Sequence, residues 1–190
     1  SPAKMVIFQQ GIKTGCGVAS SGTGPFYCGR DRKVYMDLSF YDTLLKEFGT
    51  KNNKFILSYV ISHEIGHHVQ NELGILDEVN KQRARVSERE RNALTVRLEL
   101  MADYLAGVVA RYQQESGYLE DGDIEDAIQT AWSIGDDTIQ KRVQGHVTPE
   151  SFTHGSSRQR MKWFKKGYEA GNLDGYNTFD TKRYPTTDSL

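Results

Sequence analysis

Residues 60–68 read Val-Ile-Ser-His-Glu-Ile-Gly-His-His, and the H-E-x-x-H within them constrains this chain more than any other stretch. On an α-helix four residues advance about 400° and rise ~6 Å, so His63 and His67 leave one face a turn apart. Two neutral imidazole nitrogens at that spacing can share one Zn²⁺ at about 2.0–2.1 Å. Glu64 lies one step round the helix, close to such an ion without binding it, where a carboxylate can take a proton from water. Residues 55–61 and Ile65, Val69 and Leu73 flank the motif with apolar side chains, which predicts a buried helix carrying its polar pair on one face. Gly66 leaves room for another backbone or the metal to come close.

A length of 190 residues suits one domain, or one domain with a lobe added, and can bury a real core. The expected division is a sheet-rich part over 1–54, a helical part with the metal site over 55–170, and an irregular tail over 171–190. Apolar content of 37 % and charged content of 26 % fit a globular protein with a polar surface. A net charge of −1 provides no field for nucleic acid or an anionic membrane. The run 81–91 alternates in sign and reads as a solvated helix face. No stretch reaches the ~20 apolar residues of a membrane-spanning helix. The chain starts Ser1-Pro2 without Met, which fits a mature or trimmed form. Cys16 and Cys28 are either two free thiols or, as favoured here, a disulfide. Such a bond adds ~3 kcal/mol by restricting the unfolded chain and points to an extracytoplasmic location.

Periodicity and breakers predict an α+β, mostly helical chain. Residues 4–9 read as a strand and 11–24 as a surface loop. Residues 25–28 and 33–38 form a hairpin around the turn 29–32. A short helix over 41–48, closed by Gly49, and a polar linker over 50–54 precede the metal helix, 55–73, which Gly74 ends. Two helices occupy 75–116 and meet within 86–92, the second apolar on most sides and therefore buried. Asp121 or Asp123 caps a helix running to about Val143. A loop through Gly145, Pro149 and Gly155 leads to a last helix, 159–169, anchored by Met161, Trp163 and Phe164.

A catalytic zinc needs a third protein ligand and a fourth position for water. His68, His146, His154 and the acids are the candidates. His68 points about 100° away from His67 round the helix, so a surface or supporting role suits it better. Glu99 and Asp103 stand i, i+4 on the buried helix, where carboxylates need a partner. Glu99 is assigned as third ligand. Asp103 is assigned as acceptor for the free N–H of a ligand histidine, His63 by preference. The competing reading pairs Asp103 with Arg97 or Arg111.

H-E-x-x-H followed by E-x-x-x-D resembles the gluzincin metallopeptidases, the thermolysin-like arrangement. More closely, the chain resembles the bacterial putative neutral zinc metallopeptidase family. The likeness lies in Cys16-Gly17-Val18-Ala19, Gly24-Pro25-Phe26-Tyr27-Cys28, Val34-Tyr35-Met36-Asp37, the block from His63 to Gln70, Arg97-Leu98-Glu99 with Ala102-Asp103, Ile134-Gly135-Asp136-Asp137, and Phe152 to Ser157 with Gln159-Arg160. It runs from about Gly15 to Phe179. The resemblance implies a zincin-like fold with a small antiparallel sheet beside the metal helix. It also implies an edge strand, 34–38 or 26–28, that pairs with an extended peptide. Family members commonly carry an N-terminal membrane anchor, so the chain reads as an ectodomain. The family often has cysteines where this chain has Tyr104 and Tyr176, which predicts a lost second disulfide and a looser tail.

These readings converge on peptide or protein hydrolysis. Zinc held by His63, His67 and Glu99 lowers the pKa of its water, Glu64 acts as general base, and a donor steadies the oxyanion. His154 is chosen as that donor, ahead of His146 and Tyr104. Two rivals remain: a zinc-binding interaction module without catalysis, and an iron-binding helical bundle. The second wants Glu-x-x-His on two helices, and only residues 64–67 fit.

Overall fold

The long helix expected around H-E-x-x-H is α1, Asn53–Glu72, in the computed structural model, which describes residues 1–20, 23–40, 42, 46 and 53–190. The short helix expected over 41–48 and the linker before α1 lie largely outside the described residues. Gly74, with φ at 74°, ends α1 in the left-handed region and turns the chain into α2, Ile75–Arg83. Ser87 then opens α3, Glu88–Glu115, with a reciprocal cap: its hydroxyl accepts from the Glu90 amide, and the Glu90 carboxylate accepts from the Ser87 amide. That cap falls within the window predicted for the break.

The single helix expected from Asp121 or Asp123 to Val143 is corrected to two, α4 (Asp123–Ser133) and α5 (Asp136–Gln144). Gly135 separates them, because a Cβ there would stand 2.2 Å from the Ser157 amide nitrogen. Close approach, which periodicity does not encode, breaks the helix. The last helix, α6, is Ser157–Ala170, capped by Ser156 and Gln159.

Helices α1, α3, α4 and α6 share one core of Phe55, Ile56, Tyr59, Ala106, Ala127 and Phe164. Between α3 and α6 the backbones touch through reciprocal glycines. A Cβ on Gly107 would meet the Phe164 carbonyl at 2.0 Å, and one on Gly167 would meet the Tyr104 carbonyl at 1.9 Å. This contact brings α6 close enough to reach into the polar face shared by α1 and α3. No helix among the described residues is long and apolar enough to cross a membrane.

Among the described residues, five strands precede the helices: β1 (Lys4–Phe8), β2 (Gly11–Thr14), β3 (Gly17–Ser20), β4 (Phe26–Cys28) and β5 (Lys33–Asp37). The stretch 11–24, expected as a loop, instead contains the β2–β3 hairpin, pairing Gly11 with Ser20 and Thr14 with Gly17. Its alternating Ile12, Thr14 and Val18 suffice for a strand despite the surrounding glycines. The other sheet has the order β1-β5-β4, with β1 parallel and β4 antiparallel to β5. It is therefore mixed rather than antiparallel, since the intervening hairpin carries the chain back before β5 begins. Strand β5 is central, so 34–38 cannot be the docking edge, whereas Phe26–Cys28 lies at one. Cys16 and Cys28 form a disulfide that ties the turn of the hairpin to β4.

The tail is irregular, as expected, but not loose. Tyr184 and Leu190 are buried with Val96, Leu100, Tyr104 and Trp163. Arg97 donates to the carbonyls of Thr178 and Tyr184, and the Thr178 hydroxyl donates back to the Arg97 carbonyl at 2.6 Å. Tyr176 packs on the same cluster as Tyr104, whose hydroxyl meets the Asn172 carbonyl at 3.1 Å and the Gly175 amide at 3.2 Å. Packing and hydrogen bonds thus hold the tail where the resemblance suggested a missing disulfide.

Candidate metal centre

His63 and His67 leave α1 one turn apart, and α3 lies across them with Glu99. The Glu99 carboxylate faces both rings, Oε2 at 3.0 Å from Nε2 of His63 and Oε1 at 3.4 Å from Nε2 of His67. One ligand atom from each of the three residues lies within 4.8 Å of the others. Gly66 permits this approach: the Ala102 backbone of α3 fills the space a side chain would occupy.

Both rings are held from behind. Nδ1 of His63 lies 2.8 Å from Oδ1 of Asp103, and Nδ1 of His67 lies 2.9 Å from Oε1 of Gln70. The amide of buried Gln70 donates to the Leu98 carbonyl at 2.7 Å, which fixes its oxygen toward His67. Each Nδ1 is therefore the donor to its partner behind the ring, which leaves each Nε2, facing Glu99, as the nitrogen free to bind a metal once its own proton has left. Two imidazole nitrogens and one carboxylate with their partners in place are compatible with a metal site, and the donor set suits zinc.

Asp103, on α3, is the hub behind His63. Its Oδ1 accepts from Tyr59 at 2.7 Å as well as from His63. Arg160 of α6 closes a two-pronged ion pair on it, at 2.9 and 3.0 Å. Arg97 and Arg111, the partners of the competing reading, are elsewhere: Arg97 holds the tail, and Arg111 pairs with Glu115. Burial would raise the Asp103 pKa, but Arg160 and His63 outweigh it and bring it down to about 2. Burial would lower the His63 pKa, yet Asp103 and Glu99 push it up to about 10. Glu99 is held well below the carboxylate range because His67 and His63 outweigh its burial.

Glu64 is buried beside this group. Burial raises its pKa, with His67 and His63 pulling the other way and the Tyr27 backbone amide also favouring the charged form. That amide belongs to β4, so the edge strand runs past Glu64. His68, one turn on from Glu64 along the same face of α1, anchors the strand through a side chain. Its Nδ1 lies 3.0 Å from the Tyr27 hydroxyl, and Asn71 donates to the same hydroxyl at 3.0 Å. His68 is thus buried in a supporting role, away from the three-residue group.

His154 lies in the loop between α5 and α6 and makes no hydrogen bond to the group. Asp136 organises this loop: its Oδ2 accepts the amides of Thr153, His154 and Gly155 at 2.7, 2.6 and 3.1 Å, while Oδ1 faces His154 Nδ1 at 3.3 Å. The Asp136 carboxylate raises the His154 pKa against burial, with Glu99 adding to the effect. Gly155, at φ 93°, packs on Val96 and Leu100 of α3, one turn before and beside Glu99. His146 is exposed, its ring facing the Gln144 carbonyl, and Tyr104 is committed to the tail.

Tyr27, Tyr59, Gln70, Asp136 and Arg160 were not singled out by reasoning from residue pattern. Gln70 had a signal, since it stands i, i+3 from His67 on one helix face. Arg160 had only the weaker one of a cation among the apolar anchors of the last helix.

Comparison with known proteins follows this geometry. No solved structure matches the chain. The uncharacterized protein YpfJ of Escherichia coli K12 is 47 % identical over 176 residues, which covers 93 % of this chain and 61 % of the relative. The uncharacterized protein Rv2575 of Mycobacterium tuberculosis H37Rv is 44 % identical over 185 residues, 92 % of this chain and 61 % of the relative. The chain spans about three fifths of the length of these relatives. A family model described as putative neutral zinc metallopeptidase matches residues 1–179. With that match over nearly the whole chain, and an H-E-x-x-H helix facing Glu99, the chain belongs to the putative neutral zinc metallopeptidase family.

Proposed function

We propose that this chain is a neutral metalloendopeptidase that hydrolyses peptide bonds with one zinc ion held by His63, His67 and Glu99. The observation that carries this reading is the convergence of both Nε2 atoms on the Glu99 carboxylate, with both Nδ1 atoms already engaged. Zinc held there would supply a Lewis acid that acidifies water and polarises a carbonyl.

The chain's own residues do the rest. Glu64 accepts a proton from the attacking water and returns it to the departing amine. Burial raises its pKa, which makes it a stronger acceptor for that proton. His154 donates to the carbonyl oxygen as negative charge gathers there. An extended peptide pairs along the outer edge of β4, beside Glu64. The substrate is a peptide or protein, and the disulfide supports an extracytoplasmic setting, secreted, periplasmic or membrane-anchored.

The rival reading, a zinc-binding module that does not cleave, leaves a buried Glu64 at the cluster without a purpose. Incubation with casein, with and without a chelator, tests the proposal. Chelator-sensitive cleavage is expected; no cleavage at any pH from zinc-loaded protein would favour the module.

A further inference from the structure

Arg160 is a buried cation whose partners all lie on other elements. Its guanidinium grips both Asp103 oxygens, Nε to Oδ2 at 2.9 Å and Nη2 to Oδ1 at 3.0 Å. Nη2 also reaches the Tyr59 hydroxyl at 3.3 Å, and Nη1 the Ile134 carbonyl at 3.3 Å. Nη2 stands 3.5 Å from Nδ1 of His63, so the guanidinium lies against the ring that Asp103 holds.

An aspartate carboxylate can turn about its last bond, and such terminal torsions are broad. A two-pronged guanidinium removes that freedom because its planar fork fixes the carboxylate plane. Oδ1 of Asp103 is thereby committed to one place, where it accepts from Tyr59, His63 and Arg160 together.

We infer that Arg160 is a positioning residue of the metal centre, acting through Asp103 to hold the His63 imidazole so that Nε2 faces Glu99 and His67. This rests on the proposed zinc site. The competing role is a pin that merely joins α6 to α3, and the two differ in what they do to the folded protein. A pin changes thermal stability alone; a positioning residue changes metal affinity and ligand geometry.

The test is a cycle of Arg160→Met, Asp103→Asn and the double variant, each stripped of metal and titrated with zinc against a chromogenic chelator. Thermal midpoints and the visible spectrum of the cobalt form are recorded beside each affinity. Arg160→Met is expected to weaken zinc binding 10- to 100-fold, the range for partners of metal ligands, and to alter the cobalt spectrum. The double variant is expected to bind zinc no more weakly than Asp103→Asn alone. If Arg160→Met does not fold, Arg160→Lys takes its place, keeping the charge while losing the fork. A folded variant that melts earlier yet binds zinc within twofold of wild type overturns the inference, as do losses that multiply in the double variant. Failure of the zinc reading is separate, because it appears as wild-type protein that takes up no zinc.

Discussion

Gly66 of α1 and Ala102 of α3 are in backbone contact: a Cβ on Gly66 would lie 3.1 Å from the Ala102 Cα and 3.2 Å from its carbonyl oxygen. The contact sets the separation at which Glu99 reaches both histidines. Gly66→Ala gains up to ~1 kcal/mol of helix propensity, which offsets a shift of the helices by a few tenths of an ångström. Gly66→Val forces them further apart, at ~1–3 kcal/mol for overpacking. Thermal melts and chelator competition should show a near-neutral Ala variant, and a Val variant at least tenfold weaker for zinc. Wild-type zinc affinity in Gly66→Val would mean that the helix spacing does not govern the site.

Gln70 supports His67 as Asp103 supports His63. Gln70→Ala strands the His67 Nδ1 hydrogen, while the Leu98 carbonyl keeps its bond within α3, and an unpaired buried group costs ~1–3 kcal/mol. A loss of that size in chemical unfolding is expected, with 10- to 100-fold weaker zinc binding. If zinc affinity is untouched while stability falls, Gln70 is a packing residue only.

The Asp136 carboxylate raises the His154 pKa above its ordinary value. A raised pKa means that the histidine keeps its charge to higher pH and loses it as pH rises through the raised value. If His154 steadies the oxyanion, kcat/KM falls along that alkaline limb. Asp136→Asn removes the carboxylate charge, so the limb should move toward the ordinary histidine value near ~6.5. A pH–rate profile of the variant with an unmoved limb would separate His154 from the reaction.

The long helix and the shared face of His63 and His67 were legible in the sequence because four-residue spacing on a helix is enforced by geometry alone. Glu99 and Asp103 were legible for a related reason, as acids on an otherwise apolar helix. The partners of these residues were not. Arg160 meets Asp103 across 57 positions, an encounter set by the glycine contact between α3 and α6 rather than by local pattern. The break at Gly135 was hidden because the apolar period runs on either side of it. The tail's order was missed because its residues are polar and turn-rich, while its anchors, Arg97 and Tyr104, sit on a distant helix.

The disulfide bears on the edge strand rather than on the metal. Cys28 is buried in β4 beside Tyr27, and Cys16 is an exposed residue. Replacing both cysteines with serine should cost ~3 kcal/mol of stability and raise KM more than it lowers kcat, with zinc content unchanged. Steady-state kinetics and metal analysis on the variant check this; an unchanged KM would argue against β4 as the docking edge.

The central claim is that a zinc held by His63, His67 and Glu99 works with Glu64 as general base. Glu64→Gln keeps the size and shape of the side chain and removes the base. Zinc content and casein cleavage, measured on the same preparations of wild type and Glu64→Gln, test the claim most directly. The expected result is one zinc per chain in both and cleavage in wild type alone. A Glu64→Gln variant that cleaves as fast as wild type would contradict it.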